Sequence, residues 1–484
     1  MFIFAHLPHF LKCDITSLVP KGNEVCKDSR HAMYKRLKRL CIQYDHEKSV
    51  LDLYEFSNLE TLNIYCCMFD EINASNLTNL QYISINDCIA LSRLTLPFNA
   101  PILRYLTISS SLYLDKINVA PFDNLVHLEI TETEIAHLDL SKNKKLLTLV
   151  LTNLFSLAAL IMPFESSDLV TIEIRFVDRL QTLDLRTCTR LIELKCCNLF
   201  NLQSFDQIQN CKLLRTLDCD FCPKLSLPDF RPFTRMAYFN CMYNTQIYDL
   251  NVSTFRYLRK LRCDCTSITT LYTRDCPFLE ELDCSGTNLE ELDLDLNHRL
   301  RKLWCDSCEL THLDLTHNHN LEFLNCSHNY TLSSVKFNQR SKIKCLHANN
   351  TVIEHIDWTT LPALQQLFMT NTRIKVLDAT PLLNLTHLDC AQNKITELHL
   401  TCCQDLVTLV CKDTLLTDID VSQNPKLKFI DCSDTAISHL DVSNNPHLMQ
   451  VHIQNTNIQG IDISYNQKLR SIELTGLVVN VSQQ

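Results

Sequence analysis

The chain has 484 residues and a formal net charge of −10, and 21% of its residues are charged. A mildly acidic chain lacks the basic face that general nucleic-acid binding needs, and its longest apolar runs are far too short to span a membrane. Glycine is very rare, at 4 residues, which leaves little room for phosphate-cradling loops, whereas cysteine is abundant, at 26.

The first segment, residues 1–36, lies outside any repeat. Residues 24–40 have the apolar spacing of a helix, with Val25, Met33 and Leu37 on one side. We expect this segment to be an N-terminal helical cap, because a solenoid must shield its first turn. Its two ends also resemble an F-box, although the leucine-rich middle of that motif is missing. That resemblance implies a ubiquitin-ligase adaptor bound through residues 1–40.

From near residue 37 the chain repeats with a period of 21 to 23 residues. One slot in each turn holds, in chain order, Ile42, Ile64, Ile85, Ile108, Ile130, Leu151, Ile174, Cys196, Cys219, Cys241, Cys263, Cys284, Cys305, Cys326, Ala348, Met369, Cys390, Cys411, Cys432, Ile453 and Leu474. A fixed period in this range predicts a solenoid of stacked turns.

Each turn contains two apolar clusters. In the first, apolar residues stand two apart, as Ile430 and Cys432 do, which predicts a short strand with one buried face. The second reads LDVSNN at 440–445 and LDLSKN at 138–143, where Asp, Ser and Asn favour a turn. Since one unit cannot bury its own apolar side, stacking should produce a continuous core and a parallel sheet.

These motifs resemble the leucine-rich repeat family, and the 21-residue turns with cysteine in the strand resemble the internalin-type bacterial repeats. The resemblance implies an α/β-type repeat solenoid over residues 37–478, a horseshoe or arc of about 21 turns. It places a parallel sheet on the concave face and short turns or 3-10 segments on the convex face, with a C-terminal tail at 479–484. The usual asparagine slot departs from the family, because it often holds threonine: Thr266, Thr287, Thr351, Thr372, Thr414, Thr435 and Thr456.

The cysteines of the repeated slot are predicted to form a buried ladder of free thiols. Side chains in one slot of a stack point in parallel directions, which is poor geometry for a disulfide. Many free thiols favour a reducing compartment, so we expect a cytoplasmic or host-cell intracellular protein, with a secreted or cell-surface protein as the alternative.

No enzyme, cofactor or metal site is predicted. The pairs Cys219 and Cys222, and Cys305 and Cys308, have zinc spacing, but the register points all four inward. An aspartate recurs in the second cluster and is expected to cap turns rather than bind calcium: Asp139, Asp293, Asp314, Asp357, Asp378, Asp420, Asp441 and Asp462.

The register also predicts which side chains line the concave face. Tyr65, Tyr82 and Tyr105 form a small group near the start. Aromatic side chains among charges are typical of a protein interface. The predicted partner-binding residues are Tyr238, Arg262, Glu281, Asp283, Trp304, Asp306, Phe323, Asn325, His347, Phe368, Asp389 and Phe429.

The sequence therefore predicts a non-enzymatic protein-interaction module that binds a protein partner on its concave face. One alternative is an F-box-type substrate receptor of a cullin-RING ubiquitin ligase. Another is a secreted or surface adhesin of the internalin type. The last turn has an unprotected sheet edge, so we expect a monomer or a weak dimer formed through that edge.

Overall fold

A computed structural model describes residues 34–44, 50–165, 167–474 and 478–480. The chain divides into two compact units, Met1–Pro232 and Phe233–Gln484. Each unit is built from two series of short parallel strands. The strands of the main series lie at, or directly before, the slot occupied by isoleucine or cysteine. The strands of the flanking series lie at the second apolar cluster of some turns.

The described main strands of the first unit are mostly five to seven residues long. They are Arg39–Gln43, Thr61–Tyr65, Tyr82–Asn86, Tyr105–Ser111, His127–Thr133, Thr148–Thr152, Thr171–Arg175, Glu193–Cys197 and Thr216–Asp218. Neighbouring strands of this series within the unit pair in parallel at equivalent positions of the repeat, as when Leu149 faces Ile172. The period read from the sequence is thus the register of the sheet.

The main strands of the second unit are three residues long throughout the part that the structure describes. They are Tyr238–Asn240, Lys260–Arg262, Glu281–Asp283, Lys302–Trp304, Phe323–Asn325, Cys345–His347, Gln366–Phe368, His387–Asp389, Thr408–Val410, Phe429–Asp431, Gln450–His452 and Ser471–Glu473. Backbone hydrogen bonds between turns continue beyond these strands, for example from the Cys263 amide to the Asp283 carbonyl at 2.8 Å.

The flanking strands form small parallel sheets of two or three strands. In the first unit they are Val50–Asp52, Glu71–Asn73, Arg93–Thr95, His137–Asp139, Ala159–Ile161, Thr182–Asp184 and Ser204–Asp206. In the second unit they are Asp249–Asn251, Thr270–Tyr272, His312–Leu315, Ser334–Phe337, Val376–Asp378, Glu397–His399, Gly460–Asp462 and Val478–Asn480.

The turns after the second cluster are closed by side chains rather than by helix. All eight aspartates predicted to cap turns do so, each accepting a hydrogen bond from the amide two residues later; Asp139 accepts it from Ser141 at 2.8 Å. These bonds lower the pKa of carboxyls such as Asp139 and Asp441. The prediction of turn capping is confirmed.

Asparagines at the end of the same cluster link successive turns. The Asn445 amide, which is fully buried, donates to the carbonyls of Val421 at 3.0 Å and Asn424 at 2.9 Å. The same pair of bonds is made by Asn143, Asn297, Asn318, Asn424 and Asn466. Because a buried carbonyl without a donor is costly, these amides hold the turn spacing.

The cysteine ladder is buried as predicted. Cys263, Cys284 and the other ladder cysteines of the second unit have no exposed surface, and each described cysteine of the chain is a free thiol. Several ladder thiols donate weakly to the next turn, as from Cys284 Sγ to the Trp304 carbonyl at 3.4 Å. The two zinc-spaced cysteine pairs also lie in the core, with at most 6% exposure.

Threonine at the usual asparagine slot still bonds the backbone. Thr266 Oγ1 donates to the Cys263 carbonyl at 2.7 Å, and five of the other six threonines repeat this bond three residues back. Thr372 Oγ1 instead donates to Asn393 Oδ1. The departure from the family pattern therefore leaves the turn intact.

The α/β description needs correction. Within the described residues the only helical segments with defined bounds are two 3-10 turns, Ile208–Asn210 and Trp358–Thr360. A turn of about 21 residues with aspartate caps leaves no room for a convex helix, so parallel β-solenoid is the accurate term. Residues 1–33 of the expected cap lie outside the described residues.

Candidate protein-binding face

The outward positions of the main strands in the second unit are those that the register predicts. In Lys302–Trp304 the central Leu303 is fully buried, while Lys302 is exposed and Trp304 is half-buried. The same alternation occurs in Glu281–Asp283 and Phe323–Asn325. Short strands paired in register therefore present two columns of side chains on one face.

Four rings on this face make a continuous stack, which we call the aromatic platform: Trp304, Phe323, His347 and Phe368. The ring centroids of Trp304 and Phe323 are 5.1 Å apart, those of Phe323 and His347 5.6 Å, and those of His347 and Phe368 4.5 Å. The last pair is nearly parallel, at 15°. Four successive turns thus contribute one ring each to a partly exposed surface.

The histidine of the platform is held in its neutral form. Burial lowers the pKa of His347 below its usual value, outweighing the attraction of Asp306. His347 Nε2 lies 3.2 Å from the thiol of Cys345, whose pKa burial raises. Burial therefore disfavours a positive charge on the platform itself.

A charged row borders the platform. Glu281 pairs with Lys260 at 2.8 Å and with Lys302 at 3.4 Å. Lys302 Nζ also lies 5.9 Å from the centroid of the Trp304 ring. The two lysines are therefore already occupied by a carboxylate on the same face.

Three carboxylates lie next to this row, one in each of three successive turns. We call Asp264, Asp283 and Asp306 the acidic group. Arg262 approaches Asp264 at 3.6 Å and Asp283 at 3.8 Å. Burial, followed by the charge of Asp283, raises the pKa of Asp264 to about 6. Burial also raises the pKa of Asp283.

Asp306 has neutral partners instead. Its Oδ1 accepts hydrogen bonds from Ser285 Oγ and from Asn325 Nδ2, both at 2.8 Å. Nine of the twelve predicted residues therefore belong to the platform, the charged row or the acidic group, or contact a member of them: Arg262, Glu281, Asp283, Trp304, Asp306, Phe323, Asn325, His347 and Phe368.

Of the other three predicted residues, Asp389 and Tyr238 border this cluster and Phe429 lies apart from it. Asp389 faces Phe368 across adjacent strands, and Tyr238 faces Lys260. Asp389 accepts from Thr370 Oγ1 at 3.0 Å, in the turn after the platform. The Phe429 ring meets His452 edge-on at 5.0 Å, three turns beyond Phe368. Tyr238 occupies the first outward position of Tyr238–Asn240, near the start of the unit.

Four residues of the cluster are not among the twelve predicted: Lys260, Asp264, Lys302 and Cys345. Asp264 follows Arg262 by two positions, just as Asp306 follows Trp304, so the spacing that selected Asp306 also points to Asp264. Cys345 stood in an outward slot, but nothing in the sequence indicated its contact with His347.

The face of the first unit has a smaller aromatic group. The Tyr82 and Tyr105 rings are 6.0 Å apart, and Tyr105 and His127 are 6.3 Å apart. The same unit brings Cys197, Asp218 and Asp220 within 4.8 Å of one another. Burial, and then the charge of Asp218, raises the pKa of the Cys197 thiol, which disfavours the thiolate that a metal needs.

Comparisons with protein-family models and with characterised proteins find no match for this chain. The predicted resemblance to an F-box therefore has no support. Among the described residues there is also no helix long and apolar enough to cross a membrane.

Solved structures do match. The functional domain of InlJ from Listeria monocytogenes, which includes a cysteine ladder, is 26% identical with a TM-score of 0.53, over 75% of this chain and 70% of that one. The plant peptide hormone receptor RGFR1, solved with RGF2, is 15% identical with a TM-score of 0.56, over 92% and 79%.

A third similar structure is the leucine-rich repeat ectodomain of the receptor kinase GASSHO1/SCHENGEN3 from Arabidopsis thaliana, in complex with CASPARIAN STRIP INTEGRITY FACTOR 2. It is 14% identical with a TM-score of 0.50, over 89% of this chain. The chain spans 61% of that ectodomain's length. The stacked parallel strands, the repeated slot and these neighbours together show that the chain has a leucine-rich repeat fold with a cysteine ladder.

Proposed function

We propose that the protein is a non-enzymatic interaction module that binds a partner protein on the main-strand face of its second unit. The observation that carries this proposal is the aromatic platform of Trp304, Phe323, His347 and Phe368. Interface cores are enriched in aromatic side chains, and tryptophan is among the commonest residues to dominate binding energy.

The setting of the platform suits this role. Its rings stand on strands whose central leucines are fully buried, so their positions are fixed before a partner arrives. A preformed surface loses little conformational entropy on binding. Two of the three similar structures were solved in complex with a partner, which supports a binding role for this fold.

The test is a capture experiment from the protein's own source with the Trp304→Ala plus Phe368→Ala variant. Loss of two rings from the centre of an interface typically weakens binding by at least tenfold. The control variant is Phe98→Ala plus Tyr465→Ala, which removes two rings that are 88% and 63% exposed elsewhere. Partners retained equally by both variants would overturn the proposal.

We also propose that the protein works in a reducing compartment. The supporting observation is that half-exposed or exposed thiols such as Cys66, Cys345 and Cys402 are free.

The second candidate is a secreted or surface adhesin of the internalin type, favoured by the cysteine ladder that InlJ also has. Counting the thiols of the native protein separates the two proposals. Free accessible thiols support a protein of a reducing compartment, and blocked thiols support a secreted or surface adhesin.

A further inference from the structure

We infer that the partner presents a lysine or arginine side chain to this face, with its cation at the acidic group and its aliphatic stem along the edge of the aromatic platform. The inference rests on the proposed function and names the chemistry of the partner. Its first support is Asp306, which makes no ion pair within 4.0 Å in the described part of the chain. Its side-chain contacts are with neutral donors, Ser285, Ser307 and Asn325.

The second support is Asp264. This residue is only 8% exposed, and its Oδ1 accepts no hydrogen bond from the described residues. The nearest cation is Arg262, whose Nε lies 3.6 Å from that oxygen, longer than a hydrogen bond. A buried carboxylate oxygen without a donor is costly, and the positive charge of an ammonium or guanidinium group at the neighbouring Asp306 offsets part of that cost.

The charge balance of the face points the same way. Arg262 pairs with two of the three carboxylates, Asp264 and Asp283, and leaves Asp306 without a cation, because Lys260 and Lys302 are held by Glu281. Burial and mutual repulsion raise the pKa of Asp264 to about 6. A partner cation reduces that repulsion, so charge complementarity favours a basic partner over an acidic one.

The platform accounts for the rest of the side chain. Lysine and arginine cover apolar surface with their stems while the charged head meets polar groups. The Trp304 ring already has a cation near it, since Lys302 Nζ lies 5.9 Å from its centroid. A ring and a carboxylate two residues apart, as Trp304 and Asp306 are, therefore form a receptor for both parts of a basic side chain.

A metal ion fits these carboxylates less well. Among the described residues, the only group of three or more potential ligands that lie within 4.8 Å of one another is that of the first unit, around Cys197. Asp264, Asp283 and Asp306 are therefore too spread out to share one coordination sphere. A side chain with several N–H donors can bridge carboxylates that a single ion cannot.

The experiment uses a random twelve-residue peptide library displayed on phage, selected on the full chain and on its Asp306→Asn variant. We expect peptides from the wild type to be enriched in lysine and arginine, and this enrichment to be lost on the variant. A selected peptide, labelled for fluorescence polarisation, should bind at least tenfold more weakly to Asp306→Asn and to Asp264→Asn. Replacing its basic residue by norleucine should weaken binding to the wild type equally.

Controls separate this inference from the proposed function. Glu291→Gln changes an exposed carboxylate of the flanking region and should leave binding unchanged. Asp264→Asn should not weaken the fold, so its loss of binding cannot be attributed to unfolding. If selected peptides lack cations and bind Asp306→Asn normally, but fail on Trp304→Ala plus Phe368→Ala, the inference is wrong and the proposed function stands. If nothing selected on the wild type discriminates against that double variant, both fail.

Discussion

The two units share one repeat but differ in the residue of the buried slot and in their outward faces. In the first unit the repeated slot is mostly isoleucine, and most main strands extend over five to seven residues. In the second unit cysteine fills most of these slots, the strands shorten to three residues, and the outward columns hold the aromatic platform. The interior keeps the turns in register, whereas the outward columns vary without affecting it.

Strand length follows the residue in the slot. β-branched isoleucine favours extended backbone, and cysteine has no such branch. Three turns depart from this trend: the strands at Leu151 and Cys196 have five residues, and the strand before Ile453 has three. The comparison also shows where function can change: replacing an outward ring leaves the core intact, whereas replacing a slot residue alters the packing of adjacent turns.

The largest expected effect is in the core. Phe239 and Phe255 of the second unit are fully buried, with ring centroids 5.8 Å apart. Phe255→Ala should lower the free energy of unfolding by about 3 to 5 kcal/mol, through lost burial and the cavity left behind. Hydrogen exchange should accelerate in the surrounding turns and not around Phe122, the matching core residue of the first unit. Uniform acceleration across the chain would contradict a locally stabilised repeat.

A smaller effect is expected from the asparagines that link turns. Asn445→Ala in the second unit and Asn143→Ala in the first each remove two buried hydrogen bonds to carbonyls. Each change should cost about 2 kcal/mol in urea unfolding, at about 1 kcal/mol per bond. Equal costs would show that the units share one internal design; a cost confined to one unit would contradict it.

Asp264→Asn should stabilise the second unit. The pKa of this carboxyl is about 6 in the folded chain against an ordinary value of 3.8. The folded state then holds the proton more tightly, so stability is lost as the pH rises from about 4 through 6. The variant escapes this loss and should gain about 1 to 2 kcal/mol at pH 7. This gain is smaller than the full effect of the shift, because each pKa unit corresponds to roughly 1.4 kcal/mol. At pH 4 the gain should vanish, and a gain that persists there would contradict the assignment.

The smallest effect is expected at the exposed charges. Glu281→Gln removes the ion pairs with Lys260 and Lys302, both of which are about half exposed. The cost should be under about 1 kcal/mol and should shrink in high salt, because water and salt screen such pairs. Glu193→Gln, which removes the pair with Lys195 in the first unit, is the matched comparison. A cost above 2 kcal/mol for either variant would show that these rows support the fold.

Much of the fold could be predicted because the sequence repeats. The buried slot, the outward columns, the aspartate caps and the threonine-to-backbone bonds all follow from position within a turn. The helical content could not be predicted in this way, because closing a turn depends on hydrogen-bond geometry rather than on apolar spacing. In the binding face, Trp304 and Phe368 were found from their slots, but Cys345 and Asp264 were missed.

The sequence alone determined the period, and with it the parallel stacking and the direction of each side chain, because a fixed period permits only one register. The tertiary structure decided which outward side chains meet. The stacking of His347 on Phe368 and the burial of Asp264 depend on how side chains from neighbouring turns pack together. Those contacts join residues about 20 positions apart, and spacing fixes their columns without fixing their rotamers.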